Sequence, residues 1–234
     1  MFDDNLVIAF IPARGGSKGL PGKNTMKISG KSMIERAVAS ATEWPAGSKV
    51  DVTVVSSDDE SILADAKAAG AVTFERSAFA ASDEATAADV IRDYFDSPNV
   101  VIDLDGRDPW IVYLQPTSPA RTGKHVEAAF NLLTSDVHSV VSVTTPEKSP
   151  YWTLNVSESG QLTPLFPQAF EANRQSLQAA YIPNGAIYIF KLSAFIAAGA
   201  VPVTNAAAYI MSREESVDID TREDFEKAKA LLES

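Results

Sequence analysis

The sequence predicts an α/β protein built on an open, mostly parallel sheet sandwiched by helices. Three observations point there. Short strand-like runs alternate with stretches of helical spacing in a βαβα order. The first run, Leu6-Val7-Ile8-Ala9-Phe10-Ile11, is apolar throughout, as a strand covered on both faces must be. The glycine-rich and proline-rich turns follow strands directly, at the edge where open parallel sheets bind ligands.

Taken in order, the first strand runs into the segment 11–24. Ser32 to Glu43 then has helical spacing, with Met33, Ala37 and Ala41 along one face. Asp51 to Val55 is a second strand, and Ser56-Ser57-Asp58 after it is a helix start. Glu60 to Ala69 is helical and stops at Gly70; Ala71 to Phe74 is a short third strand. Asp83 to Phe95 is a helix, and Trp110 to Leu114 a strand that enters Gln115-Pro116-Thr117-Ser118-Pro119. Gly123 to Leu133 is helical and Ser139 to Val143 is a strand. From about residue 144 to 183 the rhythm breaks at Pro146, Pro150, Pro164 and Pro167. This reads as an arm inserted in a single domain spanning 1–234, with Tyr151, Trp152, Phe166 and Phe170 available to pack on a second subunit. A long surface loop is the alternative, although loops of this length usually have a function. Gly185 to Phe190 and Ala208 to Met211 return as strands, and Thr221 to Leu232 is a closing helix.

Composition narrows the partners. The 234 residues carry a formal net charge of −11 and no cysteine. A nucleic-acid partner or an anionic membrane surface is disfavoured by that charge, whereas a small anion in a local basic pocket is not. Disulfides, thiolate metal sites and cysteine nucleophiles are excluded. Asp3 and Asp4 stand where a signal peptide would be basic, and no apolar run is long enough to span a membrane, so a soluble cytoplasmic protein is expected.

The chemistry concentrates in a few segments. Ile11-Pro-Ala-Arg-Gly-Gly-Ser-Lys-Gly-Leu-Pro-Gly-Lys-Asn24 brings four glycines after a strand, together with Arg14, Lys18 and Lys23. Glycines let backbone N–H groups approach an anion, and three cations in an acidic protein favour a triphosphate over an idle loop. The spacing is neither G-x-x-x-x-G-K-[ST] nor G-x-G-x-x-G, so a P-loop ATPase and a dinucleotide-binding motif are disfavoured. In Val217-Asp218-Ile219-Asp220-Thr221 an extended backbone turns Asp218 and Asp220 to one side and Ile219 into the core. Alone, the pair is equally a helix entry and a surface carboxylate; beside a phosphate loop, a shared Mg²⁺ is the better reading. Thr221 also suits a helix cap with Asp224 behind it. Gln115 is held by flanking prolines and offers a neutral amide to hydroxyls or a carboxylate. Asn184-Gly185 is explained equally by a turn, and Arg76 and Arg174 by surface solvation. His125 and His138 have no metal-ligand spacing, and no G-x-S-x-G is present.

Together, residues 11–24, Leu-Gln-Pro-Thr-Ser-Pro-Ala-Arg-Thr-Gly (114–123), Pro-Asn-Gly-Ala-Ile-Tyr-Ile (183–189) and Val-Asp-Ile-Asp-Thr (217–221) resemble the acylneuraminate cytidylyltransferases, or CMP-sialic acid synthetases. The resemblance covers nearly the whole chain in the same order. It implies a Rossmann-like fold with a dimerisation arm, hence a homodimer. It also implies a reaction that joins CTP to a nonulosonic acid, a nine-carbon 2-keto sugar acid, with Mg²⁺, giving the CMP-sugar and pyrophosphate. By the same resemblance Arg14, Lys23 and Asn24 would hold the CTP phosphates and ribose, and Arg76 would approach the cytosine with the Ser82-to-Ala87 segment beside it. Gln115, Asn184 and Tyr188 would line the sugar-acid site, Arg174 would reach the sugar acid, and Asp218 and Asp220 would hold the metal. Ile182 stands where an arginine often precedes Pro-Asn-Gly, and Val201-Pro202 where some members have two phenylalanines. Both differences fall on the sugar side, so legionaminic, pseudaminic and deaminated acids stand beside N-acetylneuraminate. The competing readings are a nucleotidyltransferase acting on a sugar 1-phosphate and a nucleotide-binding protein without turnover.

Overall fold

The computed structural model describes residues 6–100, 102–170 and 177–233. Strand β1 (Val7–Pro12) is followed by the glycine-rich loop, a single 3-10 turn at Lys23–Thr25 and a two-residue hairpin, β2 (Lys27–Ile28) and β3 (Lys31–Ser32). Then come α1 (Met33–Thr42), β4 (Val52–Ser57), α2 (Glu60–Ala68), β5 (Val72–Glu75), α3 (Ala87–Phe95), β6 (Trp110–Tyr113), α4 (Gly123–Phe130) and β7 (Ser139–Thr144). The interrupted stretch contains the hairpin β8 (Leu154–Val156) and β9 (Leu162–Pro164) and the short helix α5 (Pro167–Phe170). The chain closes with β10 (Ile182–Lys191), α6 (Leu192–Ala198), β11 (Ala207–Ile210) and α7 (Arg222–Leu232).

Seven strands form the main sheet in the order β11-β7-β10-β6-β1-β4-β5. All neighbouring pairs are parallel except those of β10, which runs antiparallel to both β6 and β7. The mostly parallel sheet expected from the sequence is therefore present, with one reversed strand that the βαβα rhythm did not announce. β10 is also longer than the expected 185–190 strand. A register shift between Pro183 and Tyr188, with Gly185 at φ 77°, places a bulge where the sequence read only a turn.

The period of two along β1 divides the core. Val7, Ala9 and Ile11 pack with Ile34, Val38, Ile62, Val126 and Phe130 on the face covered by α1, α2 and α4. Ile8 and Phe10 pack with Ile91, Tyr94 and Phe195 on the face covered by α3 and α6. A smaller cluster of Leu20, Ile28, Met33, Ile219 and Phe225 seats α7 against the glycine-rich loop. Gly123 is required where α4 starts, because a methyl there would lie 1.9 Å from the Glu43 carbonyl oxygen at the end of α1.

Caps set the helix limits. Ser32 and Glu35 form a capping box on α1, as Thr221 and Asp224 do on α7. Helix α2 begins one step beyond Ser56-Ser57-Asp58, because Asp59 accepts from the Ser61 and Ile62 N–H groups. Helix α3 starts at Ala87 rather than Asp83, because Thr86 is its cap. That leaves Asp83 on the turn before it.

Candidate functional site

The carboxyl ends of β1, β4 and β6 lie on one edge of the sheet, since the three strands are parallel neighbours. They deliver the glycine-rich loop, Asp58 and Asp59, and Gln115 to the same place. A cleft of about 620 Å³ opens there, lined by Arg14, Lys18, Lys23, Asn24, Arg76, Asp83, Gln115, Thr117, Asp218 and Asp220 among others.

The loop is fixed at both ends. Ala13 N–H donates to Ser56 O at 2.9 Å, and Gly15 N–H to Asp58 Oδ1 at 2.9 Å. A methyl on Gly15 would meet Asp59 Oδ2 at 2.7 Å, and one on Gly19 would meet the Asp220 carbonyl oxygen at 2.3 Å. Glycine is thus demanded at these two positions by close approach to neighbours. Asn24 is buried; its amide donates to Arg14 O at 2.9 Å, while its Oδ1 has no protein partner.

The acidic segment 217–221 docks on the loop from the other side. Ile219 is fully buried, and its N–H donates to Thr117 O at 2.9 Å. Lys23 Nζ donates to Ile219 O at 2.8 Å and to Asp220 Oδ1 at 3.0 Å. Asp218 contacts the Thr117 hydroxyl. Burial between the cleft walls raises the pKa of its carboxyl, the neighbouring Thr117 hydroxyl opposes this, and the adjacent Asp220 charge adds to it. Two carboxylates one residue apart therefore do face a common space, with Lys23 as their compensating cation. Among the described residues no three His, Cys, Asp or Glu side chains form a ready-made metal cluster.

Asp218 also lines a second, adjoining cleft of about 400 Å³ with Thr144, Ile182, Asn184, Tyr188 and Ser216. No lysine, arginine or histidine lines it among the described residues. Tyr188 is a wall of this cleft, and burial followed by the Asp218 charge raises its phenol pKa. Gln115 stands at the boundary: it lines the larger cleft, yet its Oε1 would lie 2.6 Å from a methyl placed on Gly185.

The expected site residues thus converge, with distinctions among them. Arg14, Lys23, Asn24, Arg76, Gln115, Asp218 and Asp220 share the larger cleft; Asn184 and Tyr188 share the smaller one. Arg174 lies outside the described residues. Arg76 is not the surface arginine its surroundings in sequence allowed. It is 6 % exposed, with Nη2 bonded to Ser56 O at 2.7 Å and Nε to Ser56 Oγ at 3.2 Å, so it braces the cleft wall against β4. Asn184 is likewise committed. Its Oδ1 accepts from Ser142 Oγ at 2.6 Å and its Nδ2 donates to Ser216 Oγ at 2.8 Å, tying β10 to β7 and to the approach of the acidic segment.

Three contributors were given no individual role by sequence reasoning, although Asp83 falls in the 82–87 segment expected beside the base. Thr117, inside a motif noted for its rigidity, touches Asp218. Asp83 binds Arg14 and Lys18. Arg121 is 3 % exposed; it donates through Nη1 to Gln115 O and Ala186 O, both at 2.7 Å, and through Nε to Ser40 Oγ at 3.0 Å. Burial lowers its pKa to about 9. Its signal was positional only: an arginine just after a proline-locked turn, able to close that turn on its own carbonyl.

With this geometry in place, comparison with known proteins is informative. A family model described as cytidylyltransferase matches residues 8–233. The N-acylneuraminate cytidylyltransferase of Streptococcus agalactiae serotype V is 34% identical over 219 residues, covering 93% of this chain and 51% of that protein. The chain therefore spans about half the length of the streptococcal relatives it matches. The CMP-N,N'-diacetyllegionaminic acid synthase of Legionella pneumophila is 32% identical over 236 residues, covering 97% of this chain and 96% of that protein. Among solved structures, a CMP:2-keto-3-deoxy-manno-octonic acid synthetase complexed with CTP matches with a TM-score of 0.65 at 19% identity, over 98% of this chain and 99% of the other. That likeness concerns the fold.

Proposed function

The chain belongs to the cytidylyltransferase family, and from that premise we propose that it joins CTP to a sialic-type nonulosonic acid, giving the CMP-sugar and pyrophosphate. The observation that carries the reading is a pair of adjoining clefts that share Asp218, one carrying the loop cations and one lined by polar side chains suited to hydroxyls. A triphosphate suits the first and a polyhydroxylated sugar acid the second. The streptococcal relatives are named for an N-acylneuraminate and the Legionella relative for CMP-N,N'-diacetyllegionaminic acid, which supports a substrate of that class here.

In this reading Arg14, Lys18 and Lys23 neutralise the triphosphate, and the glycine-rich backbone lets it approach. Asn24, with its unpartnered Oδ1 at the cleft, accepts a ribose or base donor. Arg76 holds the wall against which the cytosine lies. Gln115 and Tyr188 orient the sugar acid, and Asn184 shapes its cleft through the bonds it already makes. Arg174 is assigned to the acid carboxylate. The anomeric C2 hydroxyl then attacks the α-phosphorus in line, and pyrophosphate departs. Positioning and charge neutralisation are the main requirements of such a transfer.

Asp218 and Asp220 fit Mg²⁺ by donor chemistry, being two hard carboxylates that line one cleft, and they would be the residues to hold it. When bound there, Mg²⁺ would neutralise charge on the phosphates. The arm, with its exposed apolar hairpin, is assigned to a homodimer, and the reaction to the cytoplasm. The test is pyrophosphate release with CTP and Mg²⁺ against a panel of nonulosonic acids, with UTP, ATP and GTP as controls. Turnover with CTP and one acid is the expected result. Preferred turnover of UTP with a sugar 1-phosphate would overturn the assignment.

A further inference from the structure

Arg14 and Lys18 project from the glycine-rich loop, and Asp83 from the turn before α3 on the opposite rim of the same cleft. Arg14 Nη1 lies 2.7 Å from Asp83 Oδ1, and Lys18 Nζ lies 2.6 Å from Asp83 Oδ2. A single carboxylate thus holds two loop cations, one on each oxygen, across the mouth of the cleft. Two oxygens of a phosphate would engage the cations in the same way. The third loop cation, Lys23, is held separately by Ile219 O and Asp220.

Two features suit these contacts to exchange. All three side chains are open to solvent, with Arg14 at 34 %, Asp83 at 46 % and Lys18 at 76 % exposure. Ion pairs in such positions are weak and screened by salt, so a multiply charged anion displaces them. The span carrying Asp83 is short and tied at both sides. Ala81 N–H bonds to Ser77 O before it, and Thr86 is fixed to Asp89 after it. The carboxylate is therefore kept near the loop without being packed against it.

We propose that Asp83 is an internal stand-in for phosphate. It holds Arg14 and Lys18 ready across the cleft while no nucleotide is present, and releases them when the triphosphate enters. Because its charge is of the same sign as the phosphates, it sets how tightly CTP and the departing pyrophosphate are held. The inference rests on the nucleotide-binding reading above and adds a positioning residue to it.

The test replaces charge without changing shape, Asp83→Asn, and uses inorganic tripolyphosphate as a probe that needs neither base nor sugar. Calorimetry is expected to show binding tightened by about three- to tenfold, the range that loss of one or two exposed ion pairs allows. The KM for CTP and the inhibition constant of pyrophosphate are expected to fall by a similar factor, and the gain to shrink at high salt. Unchanged or weaker tripolyphosphate binding, in a variant that melts as the parent does, would overturn the proposal. Asp83→Ser serves the same measurement if the asparagine variant folds poorly. Tighter tripolyphosphate binding in a protein that never turns over CTP would sustain the role of Asp83 and refute the nucleotide reading instead.

Discussion

Replacing Lys23 by methionine separates a structural role from a catalytic one. The side chain of Lys23 is 13 % exposed, and its ammonium makes two contacts, to Ile219 O at 2.8 Å and to Asp220 Oδ1 at 3.0 Å. Methionine keeps most of the stem packing but removes both bonds. The bond to the buried carbonyl is charge-assisted and is worth about 1.5–3 kcal/mol. The one to Asp220, whose side chain is 73 % exposed, adds under about 1 kcal/mol because solvent screens it. For a chain of this size each kcal/mol lowers the melting temperature by about 2–4 °C, so a fall of about 3–16 °C is expected. Turnover should suffer more. Loss of a preorganised positive donor aimed at a reacting phosphate costs about 10²–10³ in rate, or about 2.7–4 kcal/mol. Differential scanning calorimetry reads the first quantity and pyrophosphate release at saturating substrates reads the second. A variant that melts lower yet keeps kcat within tenfold would show that Lys23 only ties the acidic segment to the loop, and the catalytic assignment would fall.

Three further outcomes follow from the same geometry. Gly19→Ala places a methyl 2.3 Å from a backbone oxygen of Asp220, so the loop and the acidic segment must part; kcat/KM is expected to fall by about tenfold or more, each tenfold being about 1.4 kcal/mol of misplacement, and activity near the parent's would contradict the packing described. The Tyr113 phenol is pushed up to about 12, chiefly by burial. Its folded pKa lies above its unfolded one, so the contribution is intact below about pH 10 and is lost as pH rises through about 12. Tyr113→Phe should therefore flatten the alkaline fall in stability and remove one high-pH tyrosinate step from an absorbance titration; an unchanged titration would count against it. The hairpin β8–β9 exposes Val156 at 67 % and Leu162 at 64 %, beside Trp152 and Phe166. If this surface is a subunit contact, light scattering should give twice the chain mass of 25.0 kDa, and a Val156→Asp, Leu162→Asp double variant should give the monomer; a fully active monomeric parent would refute the arm's role.

Much of the fold was legible because local chemistry and global architecture agree. The strand 6–11 is apolar on both faces because the sheet is covered on both, and β1 occupies Val7–Pro12 with two separate cores beside it. The Thr221–Asp224 cap was legible because a capping box is a contact between residues three apart. Reversal of β10 was not, since a buried strand has the same composition in either direction. Its bulge was hidden for a related reason: Asn-Gly serves a turn and a positive-φ bulge equally. Arg76 read as solvated because burial depends on where a crossover returns, and a five-residue window does not record that.

The site was legible to the extent that its residues are consecutive. The glycine-rich loop and Asp218-Ile219-Asp220 declared themselves by alternation and spacing, and the structure places them against each other through Gly19 and Lys23. What remained illegible is the pairing between segments far apart in the chain: Asp83 with Arg14 and Lys18, Thr117 with Asp218, Arg121 with Ala186. These pairs share a physical role. Each gives a charged or polar group a partner from elsewhere in the chain: Arg121 is buried, where an idle group is costly, whereas Arg14 and Lys18 are open to solvent, where the pairing is weak. A protein of net charge −11 that concentrates cations at one sheet edge has carboxylates at hand to hold them. Arg14, Lys18 and Lys23 are each so held. On the stand-in role proposed for Asp83, nucleotide affinity would depend on how readily those contacts are exchanged as well as on those that form.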